Sequence, residues 1–359
     1  MEVDLSDLQG RRFRCLESCQ LCCLHQPELL EEEVRFFRKE HPGSVVLMQE
    51  EPPRYGLALR NLGPCRFLRD GYCSIYEDRP RFCRQFPFHI HVGDRVKVEG
   101  DLSCRGLWGD EGTDAHRMAD QLVRSSIDTI ESVWRDTSRL YREFRENCLE
   151  GRAEVRERFQ GWLPHLSMES LGAVLESSAE EEVMGEPPVD GQVDPEEVVQ
   201  AAMEASLQSL ESRGPRSAPV YCDPDGRWNI FYPEGEEILW MMMDQEGELH
   251  TLTGVDPLEV EMEEPEGEAR ELLLDYLSRL NRRDSLLGYV YYLIDLYGCE
   301  DPLPNTYYGV MATSALDLLW RVNLFAHLRG EGPDWTLMRE GIIFYDVDRL
   351  GAPTLGTFV

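Results

Sequence analysis

Lysine is almost missing from this chain of 359 residues: only Lys39 and Lys97 occur, against 68 aspartates and glutamates. With arginine included there are 36 basic residues, and the formal charge is −32. A surface of that sign repels nucleic acid and anionic lipid, so neither is expected as a partner. Long hydrophobic runs are missing too. The longest stretch, Leu286 to Tyr297, is interrupted by Asp295 and falls short of the roughly 20 apolar residues that a membrane helix needs. The opening residues, MEVDLSDLQGRRFRC, lack an apolar signal core. The expectation is a cytoplasmic protein whose partner is a protein, or a protein substrate, that the sequence does not name.

Other absences narrow the chemistry. No G-x-G-x-x-G follows a candidate strand, and Gly330-Glu-Gly332 lies in a loop, which argues against an ordinary nucleotide-type methyltransferase fold. Internal repeats are missing. So is the pair of C-x2-C knuckles that a structural zinc site usually offers.

What the chain does have is cysteine, unevenly spread. Eight of its eleven cysteines lie between Cys15 and Cys104, whereas Cys148, Cys222 and Cys299 are scattered and read as core or free thiols. In a reducing compartment clustered cysteines read as metal ligands before disulfides, with a disulfide-stapled module as the alternative. The candidate ligands are Cys15, Cys19, Cys22, Cys23, Cys65, Cys73, Cys83 and Cys104. Thiolates are soft donors that suit zinc or iron–sulfur clusters, while calcium and magnesium demand oxygen. The first four form C-x3-C-x2-C-C. Three cysteines so spaced suit three corners of a [4Fe-4S] cube, with a fourth ligand arriving from a later loop such as Cys65, Cys73 or Cys83. Adjacent Cys22 and Cys23 diverge and do not readily share one small ion, which favours a polynuclear cluster or two neighbouring sites. The expected cofactor is therefore an iron–sulfur cluster, with zinc as the alternative.

Residues 54 to 107 carry nine arginines and Lys97 against six carboxylates, so this segment is basic within an acidic chain. Arg66, Arg69, Arg79, Arg81, Arg84 and Arg105 either offset an anionic cluster or form a solvated face paired with Glu77 and Asp78. His25 is read as a neighbour of the cluster before a ligand. His89 and His91 alternate with Phe88, Ile90 and Val92 on a hairpin turning at Gly93-Asp94, and are expected to face solvent. Tyr289, Tyr291, Tyr292, Tyr307 and Tyr308 read as helix core.

The fold class is α+β and mainly α. The reading divides the chain into a cysteine-rich metal module at 1–110, a long connecting helix and helical region at 111–176, an acidic linker at 177–194, and a helical body with a small antiparallel sheet at 195–359. Within these, a helix is expected over Pro27 to Glu40. A long one over Asp114 to Cys148 would bury Val123, Ile127, Ile130, Trp134, Thr137, Tyr141 and Phe144. Another is capped by Asp194-Pro195 and ends at Gly214. Strands are expected at Asn229–Tyr232, Ile238–Met243 and Leu249–Thr253, and core helices over Ala269–Arg282, Ser285–Tyr297 and Tyr307–His327.

The cysteine segment resembles a known family. Cys15 to Cys23, then Cys65-Arg-Phe-Leu, Cys73-Ser-Ile-Tyr76-Glu-Asp-Arg79-Pro80 and Cys83-Arg84-Gln-Phe86-Pro87-Phe88, are similar to the YkgJ-like cysteine-cluster proteins over about residues 15 to 105. The resemblance implies zinc or iron chelation. Because the family includes flagellin lysine N-methylases, it also implies a protein-modifying activity as an alternative function, beside a zinc-stabilised interaction domain. Radical S-adenosylmethionine enzymes share C-x3-C-x2-C, but Leu21 replaces their usual aromatic residue and Cys23 is an extra thiol; S-adenosylmethionine remains a secondary cofactor candidate.

Overall fold

The computed structural model describes residues 2–16, 19–61, 63–148, 151–180, 193–297, 303–349 and 352–359. The fold is mainly α with small sheets. Its helices are α1 (Glu31–Glu40), α2 (Arg81–Gln85), α3 (Ala115–Ser125), α4 (Ile127–Cys148), α5 (Arg152–Trp162), α6 (Met168–Glu180), α7 (Pro195–Leu210), α8 (Gly267–Arg282), α9 (Asp284–Tyr297), α10 (Leu303–Arg329) and α11 (Trp335–Arg349).

α10 is the axis. It is apolar on most sides, and α5, α6, α7, α9 and α11 pack around it, burying Tyr307, Tyr308, Met311, Leu316 and Trp320 completely. Tyr291 is buried as well, whereas Tyr289 and Tyr292 are half-buried, so three of the five tyrosines expected in the core lie fully within it. Asp317 and Arg321, one turn apart, survive inside because they pair with each other at 2.8 Å and the Ser206 hydroxyl donates to Asp317 at 2.6 Å.

Two four-stranded sheets flank this bundle. One runs antiparallel in the order Val220–Cys222, Trp228–Glu234, Glu237–Met243, Leu249–Val255. The expected strands are there, each a little longer, with Val220–Cys222 added at the edge. The other sheet surrounds the expected hairpin, Phe88–Val92 with Val96–Gly100. Val3–Asp4 pairs with its second strand and Thr357–Phe358 with its first, so segments from far apart in the sequence share one sheet. Ile90, Val92, Val96 and Val98 are fully buried in the same core as α10.

The departures from expectation have local causes. The helix expected from Pro27 starts only at Glu31, because the preceding residues pair with a strand: Glu28 bridges Gly56, and the Leu29 amide donates to the Tyr55 carbonyl. The long helix over Asp114 to Cys148 is two helices, broken at the buried Ser126, and the break leaves Ile127 exposed while Val123, Ile130, Thr137 and Tyr141 stay inside. The side chain of Phe144 lies outside the described residues. Asp194 does cap α7, accepting from the Glu196 amide at 3.0 Å, but the helix ends at Leu210 before Gly214. Of the expected acidic linker, 177–180 belong to α6, 181–192 lie outside the described residues, and Asp194 is the cap.

His91 does not face solvent as expected, and His89, half-buried, does so only in part. His91 is fully buried, with Nε2 3.2 Å from the Thr354 hydroxyl and its ring edge-on to Phe358, while His89 Nε2 lies 3.2 Å from Asp101. The alternation of Phe88 to Val92 marks two faces correctly. What it does not show is that residues 354–358 return to cover the second one.

Candidate metal centre

The cysteines are delivered by short, tightly turned segments. Gln20 takes a left-handed conformation (φ 53°), which leads into a 3₁₀ turn over Leu21–Cys23. The Cys65 amide then donates to the Cys23 carbonyl at 2.7 Å, tying the second segment to the first. Cys73 sits on the two-residue hairpin Leu68–Arg69/Tyr72–Cys73, where Asp70 (φ 48°) and Gly71 (φ 82°) supply the left-handed pair that such a turn requires. Cys83 is on α2, which follows Pro80 and has the Arg81 amide bound by Glu33 at 2.6 Å. Cys104 ends a turn closed on Asp101 and leads into a second 3₁₀ turn.

These segments bring all eight cysteines to one cavity of about 390 Å³. Leu21, Leu57, Leu68, Ile75 and Phe86 complete much of its wall. Cys19, Cys65 and Cys104 are buried, Cys22, Cys23, Cys73 and Cys83 are half-buried, Cys15 is exposed, and no disulfide joins them. The sulfurs are distributed around the walls: among the described residues, no three His, Cys, Asp or Glu side chains are drawn together as the ligands of one ion.

Charge follows from this crowding. The hydrogen bond with Cys222 and the nearby Arg105 bring the Cys19 thiol down to about 7 against the opposing effect of burial. Cys22 is lowered by its hydrogen bond with Cys23, and Cys23 is correspondingly raised. Burial pushes Cys65, Cys73, Cys83 and Cys104 up, and repulsion from neighbouring thiols adds to it. A soft cation reverses this, because ligation removes the proton and supplies the positive charge that buried thiolates need. The donor set thus fits zinc, iron or an iron–sulfur cluster.

Of the arginines, Arg79 and Arg84 line the cavity, Arg79 stacked over Tyr76 at 3.7 Å from the ring centre. Arg105 approaches Cys19 but is also engaged by the buried Glu340, at 3.0 Å. His25 is exposed at the cavity edge.

Residues 14–105 match the family model CxxCxxCC, described as "Putative zinc- or iron-chelating domain". This segment is similar to that family. Neither the curated proteins nor the solved structures include a match to the chain. No helix among the described residues is long and apolar enough to cross a membrane.

The surroundings of the cysteine segment include residues that its spacing does not point to. Phe13 and Met118 line the cavity. Cys222, read as a core or free thiol, is buried and free but lies directly against Cys19, its Sγ 3.1 Å from the Cys19 carbonyl oxygen. It stands alone in sequence between Tyr221 and Asp223, with no spacing to any other cysteine that could signal this. Cys148 and Cys299 cannot be placed in the same way: the side chain of the first and all of the second lie outside the described residues.

Proposed function

We propose that the cysteine segment holds iron as an iron–sulfur cluster, [4Fe-4S] being the type that C-x3-C-x2-C favours, with thiolates from Cys15, Cys19, Cys22, Cys23, Cys65, Cys73, Cys83 and Cys104. The observation that carries this reading is that all eight line one cavity of about 390 Å³ with largely apolar walls. A single zinc ion needs four donors converging on a point, whereas a polynuclear cluster needs room, several sulfurs on different walls, and shielding from water. Adjacent Cys22 and Cys23 do not diverge as expected from sequence, since their thiols are hydrogen-bonded to each other, so the cavity and not that pair supports the cluster. When bound, such a cluster supplies one-electron chemistry or a structural tie.

The chain's own residues would hold the cluster's charge and exclude solvent. Arg79 and Arg84 place positive charge at the cavity, and Leu21, Leu57 and Leu68 keep it dry. With eight sulfurs to draw on, every iron of a cube can carry a protein ligand, so binding or electron transfer is preferred to catalysis through an open iron. Cysteines without a disulfide suit a reducing compartment such as the cytoplasm. The acidic charge makes a protein, rather than nucleic acid, the fitting partner.

The test is anaerobic purification with an absorption spectrum and iron, zinc and sulfide analysis. A brown protein with iron and acid-labile sulfide is expected. A colourless protein with stoichiometric zinc and no sulfide would leave zinc chelation in its place.

A further inference from the structure

Buried arginines in this fold come with a carboxylate: Arg283 pairs with Asp346, Arg321 with Asp317, Arg279 with Asp7 and Arg156 with Asp284. Arg11 does not follow the pattern. Among the described residues its half-buried guanidinium forms no ion pair; Nη1 donates to the Leu107 carbonyl at a long 3.3 Å, and Nε is sealed from solvent without a partner. The nearby Asp7 is already taken by Arg279 at 2.7 Å and by the Gly100 amide at 2.8 Å. Burial and the like charge of Arg279 outweigh the attraction of Asp7 and Asp275, so the protein by itself leaves this cation under-compensated. The backbone beneath it is pinned, its amide donating to the Leu8 carbonyl at 3.2 Å and its carbonyl accepting from the Ala115 amide at 3.0 Å.

Arg11 lines a cavity of about 450 Å³ that shares no lining residue with the cysteine cavity. Leu102, Leu107 and Trp108 from the loop around Cys104, Leu272 and Tyr276 from α8, and Ile342 from α11 give it apolar and aromatic walls. The polar ends of both rings are committed elsewhere, Trp108 Nε1 to the Leu102 carbonyl at 2.8 Å and the Tyr276 hydroxyl to Asp346 at 2.7 Å. Asp110 and Asp275, both exposed, also border the cavity.

We propose that this cavity is a binding site for a small monocarboxylate with an apolar ring body, its carboxylate held by Arg11 and its ring against Trp108 and Leu272. A cation removed from water needs a counter-charge, and a guanidinium matches a carboxylate in shape as well as sign. Apolar walls around a few polar groups are the usual form of a small-molecule site, and a cavity of this size has room for one or two rings. Asp110 and Asp275 oppose the second charge of a phosphate, whereas a carboxylate brings only the one that Arg11 lacks. The site is separate from the metal centre and does not depend on what the cysteines hold.

The full-length protein is titrated calorimetrically with 2-naphthoate, with its neutral isostere 2-naphthamide, and with inorganic phosphate. The acid is expected to bind about tenfold more tightly than the amide, the scale of one charge-assisted hydrogen bond, and phosphate at equal concentration should not displace it. This ratio tests the proposal in wild type before any substitution is made. Arg11→Gln should bring acid and amide to equal affinity, and Arg11→Lys, which keeps the charge but not the fork, should retain part of the preference. Arg79→Gln, at the cysteine cavity, should leave the preference intact and so tells the two cavities apart. Absence of binding, equal binding of acid and amide by wild type, or displacement by phosphate overturns the proposal. So does a preference that survives Arg11→Gln, or one lost in Arg79→Gln instead, which would move the acid to the cysteine cavity.

Discussion

Arg283 grips Asp346 with both terminal nitrogens, Nη1–Oδ1 at 2.5 Å and Nη2–Oδ2 at 2.9 Å, at a site with almost no solvent contact. The pair does more than neutralise itself. Arg283 also donates to the Gly100 carbonyl at 2.8 Å, and Asp346 accepts from the Leu102 amide at 2.6 Å and the Tyr276 hydroxyl at 2.7 Å. Thus α8 and α11 hold the loop that leaves the Phe88–Gly100 hairpin and delivers Cys104.

Removing one partner strands the other charge in the interior. Asp346→Ala is expected to cost about 3–5 kcal/mol, seen as a lower urea midpoint, because a buried guanidinium without its carboxylate is strongly unfavourable. The loss should extend to metal retention, since the loop before Cys104 is released. A midpoint within error of wild type would mean that the pair contributes no net stability.

Cys22 has more thiol neighbours than Cys15: its charge is felt at Cys23, Cys65, Cys73, Cys83 and Cys104, whereas Cys15 is exposed. Cys22→Ser should therefore lose more metal than Cys15→Ser when both are purified anaerobically and assayed for iron and zinc. Equal losses would show that the rim sulfur matters as much as the central one.

S-adenosylmethionine added to the reduced, cluster-loaded protein should leave its electron paramagnetic resonance spectrum unchanged and give no heat of binding. Eight thiols around one cavity are enough to give each iron of a cube a protein ligand. A shifted signal accompanied by binding would indicate an open iron and favour the methylase-like alternative.

Burial lowers the pKa of His91 below its ordinary value of 6.5, outweighing Glu99, Asp284 and Asp94, which act to raise it; Arg156 lowers it further. The folded state thus keeps the imidazole neutral while the unfolded chain takes up a proton as pH falls below about 6.5. Stability linked to His91 is complete above that pH and is lost on acidification, at up to about 1.4 kcal/mol per pH unit. Denaturation curves between pH 7 and 5 should show this slope, and His91→Gln should reduce it by one proton's worth. An unchanged slope in the variant would assign it to other groups.

Much of the architecture was legible because it is periodic. The strands from Trp228 to Val255, the hairpin at Gly93-Asp94 and the apolar helices α8 to α10 all announce themselves through alternation, turn residues or three-four spacing. The eight cysteines of the cavity were legible from their number alone. What escaped depends on long-range covering. Nothing near His91 reports that Thr354 and Phe358 close over it, and nothing near Cys222 reports Cys19. α11 carries its own structural charge, Asp346, whose partner Arg283 lies at the junction of α8 and α9, so local pattern did not single it out.

The sheet around the hairpin has a further consequence. Phe358 pairs with His91, the Val359 amide donates to Ile90 at 2.9 Å, and the Gln85 side chain donates to the Val359 carbonyl at 2.5 Å. Residues 14–105 expressed alone would lack this covering strand and present Phe88–Val92 as a bare, apolar edge, a ready template for pairing with another copy. Such a fragment is expected to aggregate even with its metal supplied, and co-expression with the remaining chain is the remedy that the topology recommends.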